Sequence, residues 1–194
     1  MHSLPNQSLK TPCLAVFLAV STIALSAAAQ DTNDLNTAIG RFESARDIII
    51  AHGFGDIGSI PLNQGEVRVR VRESRNFATA EKMYGLTVAW ETQNAGQLRI
   101  LVDDDEVDAL ANAVSSVTTI KTEQVTTLAG FEASFTTKAG LRVIAHSDRR
   151  DGAVVTYLQF EDFPRIALSS VQMQQLGNLL LQGRKNIDAL KAGK

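Results

Sequence analysis

The segment EVRVRVRES, residues 66–74, alternates apolar and basic residues almost without interruption. Successive side chains of a β-strand point to opposite faces, so this alternation predicts a strand with one apolar face and one arginine face. The apolar face carries Val67, Val69 and Val71, and the other face carries Arg68, Arg70 and Arg72. A strand of this kind is typical of an antiparallel sheet that has a core on one side and charged groups on the other.

Six further strands and three helices are predicted from hydrophobic periodicity. The strands lie at residues 84–92, 97–102, 131–138, 141–146, 153–161 and 165–168. One helix, at residues 33–51, places Leu35, Ile39, Phe42, Ala45 and Ile49 on one face. A second begins at residues 103–106 and carries Val107, Leu110, Val114 and Val117, and the last carries Met173, Leu176, Leu180, Ile187 and Leu190.

The two halves of the chain resemble one another. RILVDDDEVDALANAV from Arg99 and RIALSSVQMQQLGNLL from Arg165 align without a gap, and each reads as a strand end, two polar residues and a helix. We therefore predict an α+β fold in which antiparallel sheets are each covered by a helix. The unit would be a duplicated strand-strand-strand-helix, with halves at residues 56–120 and 121–194 and an additional N-terminal helix. Neither half carries enough apolar surface to fold alone, so residues 30–194 are expected to form a single domain.

Residues 1–29 have the pattern of a signal peptide. Lys10 precedes an apolar run at residues 14–25, and three alanines at residues 27–29 offer the small side chains that signal peptidase requires. The run is shorter than the roughly 20 apolar residues that cross a bilayer, so no stable membrane span is expected after cleavage. The chain is expected to be exported, either to a periplasm or into the medium.

The cysteine count constrains the mature chain. Cys13 is the single cysteine and precedes the apolar run, where it would be removed with the signal. The mature protein is then expected to have no disulfide and no thiol ligand, so that its core alone holds the fold. With 19 basic and 21 acidic residues the chain is slightly acidic, which argues against a general nucleic-acid binder.

The letters GFGDIG, residues 53–58, match the glycine pattern of dinucleotide-binding folds. That fingerprint needs a strand, a glycine turn and then a helix, whose N-terminus binds the pyrophosphate. Here SIPLNQGEVRVRV follows, and its proline and its alternation exclude a helix. We predict that the glycines are a flexible connection between the N-terminal helix and a strand, and no cofactor is expected.

No set of residues has the spacing of a catalytic or metal site. The acidic run DDDEVD, residues 103–108, lacks the alternate spacing and the glycine of a calcium loop, so it is expected to cap the helix that follows. His52 and His146 have no partner at metal-ligand spacing. His146 stands beside Ser147 and Asp148, but adjacent strand residues point to opposite faces and cannot form a relay. A hydrolase with catalytic residues scattered in sequence, drawn from His146, Asp148 or Glu161, remains an alternative.

The arginine face is the most suggestive functional feature. Arg68, Arg70 and Arg72 repeat at about 6.5–7 Å along the strand, and Arg75 lies just beyond. Guanidinium groups at that spacing suit carboxylates, phosphates or sulfated glycans. The hypothesis is a non-catalytic binding module whose partner is an envelope protein or an anionic glycan. Two alternatives stay open: the arginines pair with acids on a neighbouring strand, or the chain is a structural subunit of an envelope assembly of unknown oligomeric state.

Four strands and a helix, duplicated, resemble the single-stranded-DNA-binding fold of the Whirly proteins. The segment RIALSSVQMQQLGNLL is similar to the strand–Ser–helix ending of that group. The resemblance covers about twenty residues and implies a related architecture. The predicted signal peptide and the acidic charge both argue against a nucleic-acid role, so no nucleic-acid partner is expected.

Overall fold

The computed structural model describes residues 32–92, 96–121, 125, 130–148 and 153–193. The predicted signal peptide lies outside these residues. Eight strands form two four-stranded antiparallel sheets, and three α-helices accompany them. The α+β class predicted from the sequence is confirmed.

The first sheet has the strand order β1-β2-β3-β4. Its strands are β1 (Ile50–Leu62), β2 (Gly65–Asn76), β3 (Lys82–Thr92) and β4 (Gly96–Asp103). The second sheet has the order β5-β6-β7-β8. Its strands are β5 (Gly130–Thr136), β6 (Leu141–Asp148), β7 (Val154–Phe160) and β8 (Ile166–Leu168). Each half of the chain therefore contributes four strands rather than the predicted three.

Helix α1 (Ala38–Glu43) precedes the first sheet, α2 (Val107–Thr119) follows it, and α3 (Ser170–Lys191) follows the second. The alternation in β2 is as predicted, because its three valines are buried in the core. The apolar stripes of α2 and α3 are also buried, apart from Leu190, which is half-buried. Two short 3₁₀ segments, Thr32–Asn36 and Asp104–Glu106, lead into α1 and α2.

The two long helices are exchanged between the halves. Helix α3 packs on β1, β2 and β3 of the first sheet, whereas α2 packs on β5 and β6 of the second, and the two helices pack on one another. Gly183 marks the contact of α3 with the first sheet, because a Cβ at that position would lie 2.8 Å from a methyl carbon of Leu86. One continuous core results, with apolar residues from both sheets and both helices. The sequence predicted a helix on each sheet but not that it comes from the other half.

The prediction of a helix over residues 33–51 is wrong beyond Glu43. Helix α1 ends there, and β1 begins at Ile50 after a backbone turn in which Asp47 has a φ of 62°. Of the five residues predicted to share a buried face, Ile39 is fully buried, whereas Leu35 and Ile49 are 44% and 71% exposed. The spacing was helical over too few turns for packing to follow it.

The glycine segment at residues 53–58 is not a connection but part of β1. It pairs with β2 in regular antiparallel register, interrupted by one bulge between Asp56 and Gly58. Strand β1 is an edge strand of its sheet, where glycines and a bulge are common. The glycines are followed by a turn and by β2, not by a helix, as the exclusion of a dinucleotide site requires.

The N-terminal segment lies on the face of the first sheet that is turned away from the core. Ile39 packs beside Gly85 of β3, and the Asp103 carboxylate accepts hydrogen bonds from the backbone N–H groups of Ala38 (2.7 Å) and Ile39 (3.0 Å). Asp34 forms an ion pair with Arg99 of β4 at 3.3 Å. This face is therefore partly covered by α1. Among the described helices, none has the length and hydropathy needed to span a bilayer.

Two glycines near the β1–β2 hairpin give opposite expectations for stability. Gly65 has a φ of 100°, and a Cβ there would lie 1.9 Å from the carbonyl oxygen of Glu91. Gly53 has open space, because a Cβ at that position would have its nearest neighbours 3.9 Å away. Gly65→Ala is expected to lower the free energy of unfolding by roughly 3 kcal/mol or more, because strain and overlap add. Gly53→Ala is expected to be neutral or to stabilise by roughly 0.5 kcal/mol. Urea unfolding followed by circular dichroism compares the two, and similar losses would contradict the register of this hairpin.

Candidate functional site

The β2 arginines lie on the outer face of the first sheet, where acids surround them. Arg70 bonds Asp56 at 2.8 Å and lies 3.5 Å from Glu91. Arg68 pairs with Glu66, and its Nε is 3.3 Å from Glu91. The hydrogen bond from Arg70 is the main cause that lowers the pKa of Asp56 below its usual range. The alternative of pairing with acids on neighbouring strands thus describes these two arginines.

Arg72 is almost completely buried. Its Nε and Nη2 donate to the Glu43 carboxylate, the latter at 2.6 Å, and its guanidinium lies 4.7 Å from the ring centroid of Phe54. Its Nη1 has no hydrogen-bond partner among the described residues. Arg75 is exposed and lies opposite Lys82 on β3. The four predicted ligand residues therefore do not form one open cationic surface.

A serine, a histidine and a glutamate meet beside Arg72. Ser74 Oγ donates to Glu43 and lies 3.1 Å from His52 Nδ1, which is itself 3.4 Å from Glu43. In a catalytic relay the histidine uses one nitrogen for the serine and the other for the acid. Here one nitrogen faces both groups, and Ser74 is 0% exposed, so no substrate reaches its hydroxyl. The cluster instead holds the end of α1 on the sheet.

The acidic run before α2 binds other elements instead of capping that helix. Asp103 caps α1, and neither Asp103 nor Glu106 makes a side-chain cap with α2. The predicted capping of the following helix is wrong in this respect, because the strand end turns the carboxylate toward α1. Asp104 bonds Arg184 of α3 at 2.9 Å. The run thus ties the first half to α3.

Three acids of this run, Asp103, Asp105 and Glu106, bring carboxylate oxygens within 4.8 Å of one another. The ammonium of Lys138 lies among them, 3.1 Å from Asp103 and 2.7 Å from Asp105, and these bonds raise its pKa. Burial raises the pKa of Glu106. A lysine already supplies the positive charge that a metal ion would bring, so the cluster is explained as an ion pair between the two halves.

The outer face of the second sheet gathers a different set of charges around Glu132 of β5. Arg165 donates two hydrogen bonds to its carboxylate, at 2.8 and 3.2 Å. Arg142 of β6 approaches the same group at 3.5 Å, and His146 Nδ1 at 3.8 Å. The remaining contacts of Arg142, to Gln159 and Ser134, are 3.4 and 3.5 Å long. Because these exceed the ordinary 2.7–3.2 Å, Arg142 keeps donor capacity for another acceptor.

The two outer faces differ in charge balance. On the first sheet, Arg68, Arg70 and Arg72 are matched by four carboxylates, those of Glu43, Asp56, Glu66 and Glu91. On the second sheet, among the described side chains, Glu132 is the carboxylate that faces Arg142, Arg165 and His146. These three are 32%, 37% and 42% exposed in their side chains. The second face therefore has an accessible excess of positive charge.

The candidates of the scattered-hydrolase alternative are not brought together with a serine. His146 lies on the outer face, whereas Ser147 is 1% exposed and points into the core. These two neighbours thus point to opposite faces, as strand alternation predicts, and cannot act together. Glu161 occupies the turn after β7 with a φ of 49°. The side chain of Asp148 lies outside the described residues.

A cleft of about 430 Å³ lies in the seam between the two sheets. One wall is the β1–β2 turn at residues 62–64 and Trp90 of β3; the other is residues 164–167, before and within β8. Gln172 of α3 closes one end and donates to the Pro61 carbonyl at 3.0 Å. Trp90 donates its indole N–H to the Gln64 carbonyl at 3.1 Å. Arg165 lines the cleft while its guanidinium lies 5.9 Å from the ring centroid of Tyr157, so it joins the cleft to the cationic face.

The sequence did not predict Arg142 and Arg165 as site residues. The alternation in LRVIAH places Arg142, Ile144 and His146 on one strand face, which was an available signal. Their convergence on Glu132 depends on the pairing of β5 with β6 and on the position of Arg165 beside them, neither of which a single sequence specifies. Comparison of the chain with protein-family models, curated proteins and solved structures finds no match.

The Arg72–Glu43 pair predicts a strong dependence of stability on both partners. Glu43→Gln leaves the Arg72 charge buried without its counter-ion, and we expect a loss of about 3 kcal/mol in the free energy of unfolding. The double variant Glu43→Leu/Arg72→Met removes both charges and is expected to lose less. The exposed pair is the matched control, because Glu91→Gln is expected to cost less than about 1 kcal/mol. Equal losses for Glu43→Gln and Glu91→Gln in urea unfolding would contradict this account of Arg72.

Proposed function

We propose that the protein is an exported, non-catalytic binding module whose ligand carries anionic groups. Export rests on the signal-peptide pattern of residues 1–29. Anion binding rests on one observation, the convergence of Arg142, Arg165 and His146 on a single carboxylate, Glu132. The ligand classes that suit guanidinium forks are an acidic envelope protein and an anionic glycan.

The cationic face, defined as Arg142, Arg165, His146 and Glu132, is organised to accept a further anion. The bidentate bond fixes the position of Arg165, and this preorganisation reduces the entropy lost when a ligand binds. Arg142 and His146 contribute donors whose present contacts are long. The β2 strand predicted from the sequence supports the same function less well, because its arginines already have acidic partners.

Charge removal on the two faces tests the proposal directly. Arg142→Gln/Arg165→Gln and Arg68→Gln/Arg70→Gln each remove two positive charges from the outer face of one sheet, so the second pair is a control for net charge. Binding to heparin, a sulfated glycan, and to polyglutamate is measured by calorimetry at several salt concentrations. We expect the first variant to bind at least one of these probes about tenfold more weakly and with a smaller salt dependence, and the second to bind almost as the parent.

The other outcomes of this experiment are equally informative. A loss confined to Arg68→Gln/Arg70→Gln would place the ligand on the β2 strand and would show that the assignment to the second sheet is wrong. An Arg75→Gln variant then tests the remaining residue of that strand. Binding that neither double variant changes would contradict an anion-binding function of either face.

A second candidate, a structural subunit of an envelope assembly, is favoured by the exposed edge of the first sheet. Edge strand β1 is 13 residues long, and Ile49, Phe54 and Phe77 near it are 71%, 60% and 65% exposed. Long edges with exposed apolar residues pair readily with another chain. Light scattering of the parent and of Phe77→Ser decides between the candidates. A subunit is expected to self-associate and to become monomeric in the variant, whereas an independent binding module is monomeric in both.

A further inference from the structure

The cleft between the sheets runs along the free edge of β8. Among the described strands, β8 pairs with β7 on one side and has no partner on the other. Ile166 lies opposite Leu158 of the core face, and Ala167 lies opposite Tyr157 of the outer face. Because these neighbours point to opposite sides of the sheet, a cavity that touches both must lie beside the strand edge. The backbone groups of this edge therefore face the cleft.

The chemistry of the two walls is that of a site for an extended peptide. A free strand edge supplies backbone donors and acceptors to an added strand, while flanking pockets receive alternate side chains. The wall opposite β8 offers Leu62 and the Trp90 ring to an apolar side chain. Arg165, at the entrance to β8, offers a guanidinium fork to an acidic one. The volume falls in the range of roughly 300–1,000 Å³ found for ligand pockets, and three residues of strand span about 10 Å.

We propose that the cleft binds an extended acidic peptide segment of a partner protein, which adds a strand to the edge of β8. One apolar side chain of the segment contacts Trp90, and one carboxylate binds Arg165. This inference rests on the proposed function, since it uses Arg165 of the cationic face, and it specifies the ligand as polypeptide. A glycan would use the arginine and the tryptophan but would make no use of a strand edge.

The experiment selects peptides from a randomised heptapeptide library displayed on phage, with the full chain immobilised. The enriched peptides are expected to carry Asp or Glu between apolar residues. Synthetic copies are then titrated while the fluorescence of Trp90, the single tryptophan of the chain, reports occupancy of the cleft. N-methylation of alternate backbone amides of the peptide removes strand pairing without any change in the protein. One of the two methylation registers is expected to weaken binding about tenfold or more.

Two arginine variants separate this inference from the proposed function. Arg165→Gln is expected to bind the selected peptides about tenfold more weakly, because a charge-assisted hydrogen bond is lost. Arg142→Gln lies on the cationic face but not in the cleft, so it is expected to bind them as the parent does. Near-ultraviolet circular dichroism establishes that both variants are folded.

Three outcomes would overturn the inference while the proposed function stands. The first is a library that yields no enriched acidic sequence, although heparin or polyglutamate binding still depends on Arg142 and Arg165. The second is peptides that bind without any change in Trp90 fluorescence, and the third is binding that N-methylation in either register leaves unchanged. A dimer in light scattering whose formation the selected peptides inhibit would identify a second copy of this chain as the natural occupant and would equally overturn a foreign partner.

Discussion

The exchange of helices between the halves is the constraint on which the rest of the structure depends. Each four-stranded sheet has an apolar face that requires a cover, and the helix that follows it in sequence packs mainly on the other sheet. The halves are therefore joined through their cores and not merely placed side by side. The ion pairs of the acidic run follow the same arrangement, since Asp103 and Asp105 bind Lys138 and Asp104 binds Arg184.

The repeated architecture makes the difference between the two outer faces informative. The second strand of each sheet carries basic residues outward, on β2 in the first half and on β6 in the second. In the first half the acids of β1, β3 and the end of α1 neutralise them, and α1 covers part of that sheet face. In the second half Glu132 faces two arginines and a histidine. The same strand position is thus structural in one half and available for binding in the other.

Period-two and period-3.6 patterns predicted most of the elements because those patterns reflect burial directly. The valines of β2 and the stripes of α2 and α3 are buried as expected. Strand β1 was not predicted, since its glycines carry no alternation and a sheet edge tolerates them. The helix over residues 33–51 was overextended because apolar residues at helical spacing do not form a helix where no neighbouring surface is present to bury them.

The candidate site was less predictable than the fold. Strand alternation placed the arginines of β2 on one face, but their partners come from residues as distant as Glu43, which no local pattern reveals. The cationic face needs the register of β5 with β6 and the approach of Arg165 from outside both strands. The cleft needs the relative placement of two sheets. These are tertiary facts, and the sequence alone supplied only the residue types.

The cover of the first sheet by α3 also determines when that sheet is safe from its surroundings. Strands β1, β2 and β3 are synthesised about a hundred residues before Ser170–Lys191, the 22 residues that cover them. Until that final helix arrives, the valine face of β2 is presented to any chaperone, protease or neighbouring chain. Contacts of such long range make folding slow and late, so loss of the last turns of α3 would convert the entire first half into a substrate for quality control.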